Sequence, residues 1–515
     1  MPDRTRRLAY GLGAVPSGAE LPLLGLLLLF YNQLVGLPAV AVSVVLSACA
    51  VLGTFWDPLV GEISDTTRSR WGRRHVYLYG AAAPFALAFA LLWRPPAGWS
   101  QPALLAWLAL FAILTRLLGS LHEIPGAALM PELARGYNER TRLVGYRYLC
   151  GAIGAIMSTA LGFGIFLKGS PGQPFGQLNR AGYAPFGTAV ACIILLTIVS
   201  SALGTHGYIP QLYSPPRRSR SIRERLHDVI DTLRGRNFAV IATSGFLHGI
   251  NLGVHAGLGV YFGTYFWKLP SNQLPWLVLA ALPANGVTAI VAPVLARRWG
   301  KKETCVGLFF ASIMLGSLPL AAALLGWMPA PGSIALLTIL VGDGLLVAVI
   351  GTSGFIIVTS MVADIVEETE LRTGRRSEGL LLAAETFLRK LSTGVTVIVP
   401  GLLLALVGFP PHADPKTLDP LVMRHLALIS MPLRVVLGIA ATSVLLLYRI
   451  DRGTHEANLA KLSGDVGAKG AEPDLTLWAI AVEVGNAASV ETDGDVGMKN
   501  TDRVPERACL THQSS

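Results

Sequence analysis

Four ionisable residues stand inside otherwise apolar stretches of the chain: Asp57 beside Pro58, Glu123 ahead of Pro125, Arg147, and Lys390 next to Arg389. A charge held in hydrocarbon costs several kcal/mol, so such residues face one another, a water-filled cavity or an ion path. A carboxylate next to a proline, where freed backbone carbonyls add oxygens, suits a small hard cation. A carboxyl shut between apolar helices also takes up and releases a proton near neutral pH. Arg147 and Lys390 are placed to offset Asp57 and Glu123 across a helical bundle. His248 and His255 are seven residues apart, on one helix face with Asn251, Tyr261 and Tyr265 nearby. His248 and Tyr261 are therefore candidate substrate contacts. Arg434 follows Pro432 in another apolar run, with Glu385, Asp343 or an anionic ligand head as its possible partners.

The elements that hold these groups follow from composition. Of 515 residues, 52% are hydrophobic and 14% charged, against about 25% charged in ordinary globular proteins. That leaves too little charge to cover a water-exposed surface of this size. Runs of roughly 20 apolar residues, the length needed to cross a bilayer, recur near 9–35, 38–62, 76–94, 102–129, 143–167, 184–209, 238–266, 274–296, 304–327, 333–363, 379–408 and 421–448. The ten-residue alternation of a membrane barrel is missing. The expected fold is an all-α integral membrane protein of twelve transmembrane helices in two six-helix pseudo-repeat bundles.

Arginines and lysines sort by loop, 24 on the side of the N-terminus against 5 on the other. By the positive-inside rule both termini are cytoplasmic, and the expected location is the plasma membrane. The net charge of +10 is then topology, and no nucleic-acid partner is expected. The five cysteines form no CxxC or Cys/His cluster, so neither metal nor cofactor is expected. His122-Glu123 is no HExxH motif and no glycine loop fits a phosphate. An enzyme is not expected.

The two halves echo each other. Arg70-Trp71-Gly72-Arg73-Arg74 after the second run returns as Arg298-Trp299-Gly300-Lys301-Lys302 after the eighth. Arg140-Thr141-Arg142 after the fourth has a looser counterpart in Arg372 to Arg376 after the tenth. The division reads as a six-helix bundle over 1–211, a basic cytoplasmic linker over 212–237, a second bundle over 238–449 and a disordered tail over 450–515. Such repeats hold a solute at their interface near mid-bilayer and expose it by rocking. Asp65 against Arg74, Arg142 or another loop arginine, and Asp364 against Arg372 or Arg375, read as latches that break when the cytoplasmic side opens.

Asp57-Pro58-Leu59-Val60-Gly61 followed by Ser64-Asp65-Thr66-Thr67-Arg68-Ser69-Arg70-Trp71-Gly72-Arg73-Arg74, with Glu123-Ile124-Pro125, Met361-Val362-Ala363-Asp364-Ile365-Val366 and Lys390, resembles the glycoside–pentoside–hexuronide:cation symporters. These are the melibiose-carrier branch of the major facilitator superfamily, which also includes lysolipid carriers. The resemblance covers about residues 8–450. It implies that Asp57 is a coupling-cation ligand, that Ser120 replaces a threonine ligand, that Glu123 and Arg147 bind substrate, and that Lys390 links the two sites.

Three departures shape the expectation. Gly53 stands where the family's sodium site has a second aspartate, which favours a proton over sodium as coupling ion. The family's span-1 aspartate falls near Ser17 or Gly18, and Glu20 is expected on another face of that helix. Gly126-Ala127-Ala128 replaces a sugar-stacking tryptophan and leaves room for a larger or amphipathic substrate. The expected function is cation-coupled symport of a small organic solute by a monomer. Uncoupled carriage of a lysolipid-like molecule, or a receptor or scaffold role, is the alternative.

Overall fold

The computed structural model describes residues 4–20, 22–134, 137–170, 172–209, 235–373, 378–451, 453–458 and 461. Most of the 212–237 linker, Arg375, and nearly all of the tail beyond 461 lie outside the described residues. Contacts divide the chain into one unit over Met1–Glu456 and a second over Ala457–Ser515.

The helices of the first unit fall into twelve spans. Span 1 is assembled from Arg4–Leu12, Val15–Glu20, Leu23–Leu29 and a π-helical turn at Phe30–Leu34. Spans 2 to 6 are Ala39–Thr66, His75–Leu92, Gln101–Ala128, Tyr137–Leu161 and Tyr183–His206. Span 7 is Arg236–Tyr261, ending in a π-helical turn at Phe262–Phe266. Span 8 joins Leu274–Leu279 to Ala284–Trp299, and span 9 joins Lys301–Leu315 to Leu318–Leu324. Spans 10 to 12 are Ile334–Thr373, Glu378–Leu406 and Pro420–Leu445. Among the described residues, nine helices are long and apolar enough to cross a membrane unaided. Span 1 is broken into pieces, a turn over 280–283 interrupts span 8, and the first turns of span 11 carry charge. These three therefore fall short by length or hydropathy although each completes a bundle.

Many large apolar side chains point outward, among them Leu87, Ile165, Leu196, Leu203 and Ile290. In water such a surface would aggregate; against lipid it is the solvated face. Inside, the core has a divided form. At the end opposite the arginine-rich loops one apolar cluster runs through both halves, joining Leu26, Phe30 and Tyr31 to Val254, Tyr261, Leu403 and Phe409. Toward the arginine-rich end there are two separate clusters. One is built on Tyr10, Leu78 and Leu143, the other on Phe238, Met361 and Tyr448.

Hydrogen bonds between the halves follow the fused core. The Gln33 side chain donates to the Pro410 carbonyl at 3.1 Å and accepts from the Ala413 N–H at 2.9 Å. Tyr261 donates to Asn32 at 2.9 Å, and Gln177 to Thr264 at 3.1 Å. Each of these bonds has one partner in a π-helical turn closing span 1 or span 7, as expected of widened turns that re-aim side chains at functional contacts.

Candidate functional site

Asp57 is held near mid-span by two cations from different helices. Arg116 Nη2 of span 4 donates to its Oδ2 at 3.0 Å, and Lys390 Nζ of span 11 donates to the same oxygen. The side chain is only 9% exposed, and Oδ1 is buried without a partner among the described residues. The Lys390–Asp57 pair joins the two halves. Breaking such a pair by removing one partner costs more than the pair itself contributes, because the other charge is left buried.

Arg116 is the residue that sequence reasoning passes over. It reaches Asp57 across the backbone of Gly53, where a Cβ would lie 2.2 Å from Arg116 Nε and 2.8 Å from Cζ. Only glycine lets the guanidinium lie there. Gly53 and Asp57 are four residues apart on one face of span 2, while Arg116, Ser120 and Glu123 follow one face of span 4. Ser120 is buried and faces the Asp57 carboxylate while its hydroxyl donates to the Arg116 carbonyl at 3.1 Å. The signal for Arg116 is present in the sequence, since it is a charge in the middle of an apolar run like the others.

Beside this clasp lies a narrow cleft lined by Ser17, Glu20, Phe85, Thr115, Arg116 and Glu123. Glu20 thus shares the face of Ser17, contrary to the expectation that it would point elsewhere. The two are three residues apart in the helical piece Val15–Glu20, and that spacing makes them neighbours. Glu20 Oε1 is buried without a hydrogen-bond partner among the described residues. Among the clasp and the cleft, three carboxyls, Asp57, Glu20 and Glu123, meet two cations, Arg116 and Lys390.

The other candidates lie apart from this group. Arg147 of span 5 stands 5.5 Å over the ring of Tyr10, near His122, whose Nε2 meets the Gly13 carbonyl at 2.9 Å. His248 packs between Phe309 and Phe355, with ring centroids 4.4 and 5.0 Å away. Tyr261 is fully buried in the contact between the halves and lines no open space here. Asp65 pairs with Arg74 at 3.0 Å, while Arg142 is exposed at the start of span 5. A residue not anticipated, Glu132, draws both Arg73 (2.6 Å) and Arg74 (2.5 Å). Asp364 is engaged by Lys301 at 2.7 Å, and His455 approaches it at 3.6 Å; the side chains of Arg372 and Arg375, expected as its partners, lie outside the described ones. Both halves therefore tie the basic loop after their second span to an acid at the end of their fourth.

Two bundles with buried charge between them, a core fused at one end and divided at the other, define a major facilitator transporter. Transporters of this class move solutes and are not enzymes. The family model for MFS/sugar transport proteins matches residues 9–452, and the chain belongs to that family. It is 28% identical over 482 residues to an uncharacterised symporter of Synechocystis sp., covering 79% of this chain and 86% of that one. It is 25% identical over 434 residues to the isoprimeverose transporter of Lactiplantibacillus pentosus, covering 83% and 84%. Among solved structures, the xylose transporter XylE of E. coli in an inward-open conformation superposes with a TM-score of 0.59 at 14% identity, covering 88% of this chain and 98% of that one. The nucleoside transporter NupG gives a TM-score of 0.55 at 16% identity, covering 85% and 98%. These likenesses show the shared fold.

Proposed function

We propose that the protein is a proton-coupled symporter of a small organic solute, working by alternating access. The observation that carries this is the placement of Arg116: its guanidinium fills the space over Gly53 and shares Asp57 with Lys390. A sodium ion needs several oxygens around it, as other hard cations do, and this space already holds a fixed cation. A proton needs no such cage. With three carboxyls against two cations, one proton on Glu123 or Glu20 balances the group. Asp57 serves as the charge that both cations clasp, and Ser120 positions Arg116 beneath it. Glu123, Arg147 and Lys390 are assigned to the substrate path, with His248 and Tyr261 as outer candidates that a change of conformation would have to uncover.

The arginine-rich loops place that end in the cytoplasm by the positive-inside rule. On this reading both termini face the cytoplasm, the protein sits in the plasma membrane, and the end with the divided core is the inward one. Residues 1–211 and 238–449 act as the rocking bundles about the 212–237 linker, in a monomer. A sugar-like solute is favoured by the names of relatives such as the isoprimeverose transporter and a glucuronide carrier homolog of E. coli. The small residues Gly126, Ala127 and Ala128 favour a bulkier, amphipathic one.

The test is uptake into proteoliposomes under imposed gradients. An inward pH gradient is expected to drive accumulation and a sodium gradient to leave it unchanged. Glu123→Gln is expected to lose accumulation while retaining counterflow. Sodium-driven uptake by the wild type would overturn the reading, and counterflow with no response to either gradient would establish the uncoupled carrier instead.

A further inference from the structure

The second half holds a cation that the Asp57 clasp does not use. Arg434 lies fourteen residues into span 12, a helix of 26 residues, and so at mid-depth. Its Nε is buried without a hydrogen-bond partner, and no ion pair within 4.0 Å joins it to a residue whose side chain is described, a set that leaves out Glu385. A guanidinium in hydrocarbon is expensive, and an unpaired one is the least stable form of buried charge. The charged groups that act on it are Asp343 of span 10 and His255 of span 7. Asp343, half-buried, stays beyond salt-bridge distance.

The backbone here is fixed rather than loose. Asn251 Nδ2 of span 7 donates to the Arg434 carbonyl at 2.5 Å. Gly438, one turn further on, brings the helices close, since a Cβ there would lie 3.1 Å from Asn251 Nδ2 and 2.4 Å from Ile313. His255 follows Asn251 by one turn on the same side of span 7, so it stands beside the guanidinium. It is exposed although it lies deep in its span. A guanidinium whose Nε has no partner, an accessible imidazole and a carboxylate kept beyond salt-bridge distance thus stand together on spans 12, 7 and 10.

We propose that Arg434, assisted by His255, binds a negatively charged group of the transported solute, a carboxylate, sulfonate or phosphate. The guanidinium fork takes two oxygens of such a group, and His255 donates to a third atom. Asp343 holds the arginine's electrostatic balance when the solute is absent. This names the substrate class for the proposed transport activity and rests on that activity.

The experiment measures binding to the purified protein in nanodiscs, with probes matched in shape and differing in charge. Phenyl β-glucuronide is set against phenyl β-glucoside, and a lysophosphatidate against the monoacylglycerol of the same chain. The wild type is expected to favour the anionic member of at least one pair by about tenfold or more, the usual worth of a hydrogen bond to a charged group. The pair that responds tells whether the anion belongs to a soluble solute or a lipid. Arg434→Gln is expected to abolish the preference while leaving affinity for the neutral member unchanged. Arg434→Lys, which keeps the charge, is expected to keep part of it, and its retention guards against a folding defect in the first variant. Equal binding of both members of both pairs by the wild type would overturn the proposal, as would a preference that survives Arg434→Gln. Binding needs no gradient, so a failure here is distinct from a failure of proton coupling.

Discussion

The two halves share a scaffold and differ in how they treat buried charge. In the first, Asp57 Oδ2 is held by Arg116 and by Lys390 from the second half, and two further carboxyls stand in the adjoining cleft. In the second, Arg434 has no ion-pair partner among the described side chains, and Asp343 acts on it only from a distance. The duplication that preserved the RWG loops and the paired π-helical turns at 30–34 and 262–266 did not preserve charge balance. Helix packing is set by apolar surface and small residues, so charges on the inner faces are free to diverge once the halves need not do the same task. A half rich in acids suits the coupling ion, and a spare cation in the other half suits an anionic part of the solute.

The sharpest way to break this contrast is Asp57→Asn. It leaves Arg116 and Lys390, 31% and 36% exposed, facing each other over a neutral amide, at a cost below the roughly 3–5 kcal/mol of a fully buried broken pair. Gradient-driven uptake is expected to vanish and the melting temperature to fall. Asp57→Asn with Lys390→Ala should recover stability but not accumulation. If the single variant accumulates solute normally, the clasp has no part in transport.

A smaller effect is expected from Gly53→Ala. The new methyl meets the Arg116 guanidinium and must displace it, at about 1–3 kcal/mol for overpacking. Arg116→Gly in the same chain should relieve the clash. The combination Gly53→Asp with Arg116→Gly exchanges the fixed cation for a second carboxylate, and uptake is then expected to gain a response to sodium. Failure of that response under otherwise intact transport would show that Arg116 does not exclude the ion.

The arginine-rich end offers a third comparison. Glu132→Gln strands Arg73, which is 15% exposed, and leaves Arg74 with Asp65 alone, whereas Asp364→Asn strands Lys301, which is 35% exposed and partly solvated. Thermal unfolding should therefore be shifted more by the first, by a margin of about 1–2 kcal/mol. The reverse order would mean that His455 and Glu367, which meet at 2.9 Å, make the second half's tie the stronger.

The smallest effect concerns the turn after span 12. The Thr454 hydroxyl and then its N–H donate to Asp451 Oδ1 at 2.6 and 2.7 Å and hold that carboxyl below its ordinary range. The contribution of this cap is present above the unfolded carboxyl's pKa and is lost as pH falls through the lowered value. Asp451→Asn should weaken amide protection at 454 and 455 near neutral pH and leave transport unchanged, as hydrogen exchange would show.

Much of this is legible in the sequence. Hydropathy yields the spans, loop arginines the symmetry, and the rarity of charge in apolar runs points to Asp57, Glu123 and Lys390. Pairing is what it does not yield. Arg116 stands 59 positions from Asp57 and Lys390 stands 333 from it, and no periodicity states which faces will meet. Gly53 reads in the sequence as a lost carboxylate, but its use as a seat for a guanidinium depends on the approach of spans 2 and 4. Glu132 and His455 escape sequence reasoning for the same reason, since each acts through a partner on another helix. Glu20 is misplaced when span 1 is treated as one continuous helix.

The divided core has a thermal consequence. Among the described residues, parting the halves at the arginine-rich end splits no buried apolar cluster, because each side there keeps its own. Parting them at the opposite end must split a cluster that runs through both and wet its apolar faces. Newly hydrated apolar surface raises heat capacity, so the step between the two open states carries a heat-capacity change of its own. The balance between them therefore bends with temperature, and the rate of the transport cycle inherits that curvature whatever solute it carries.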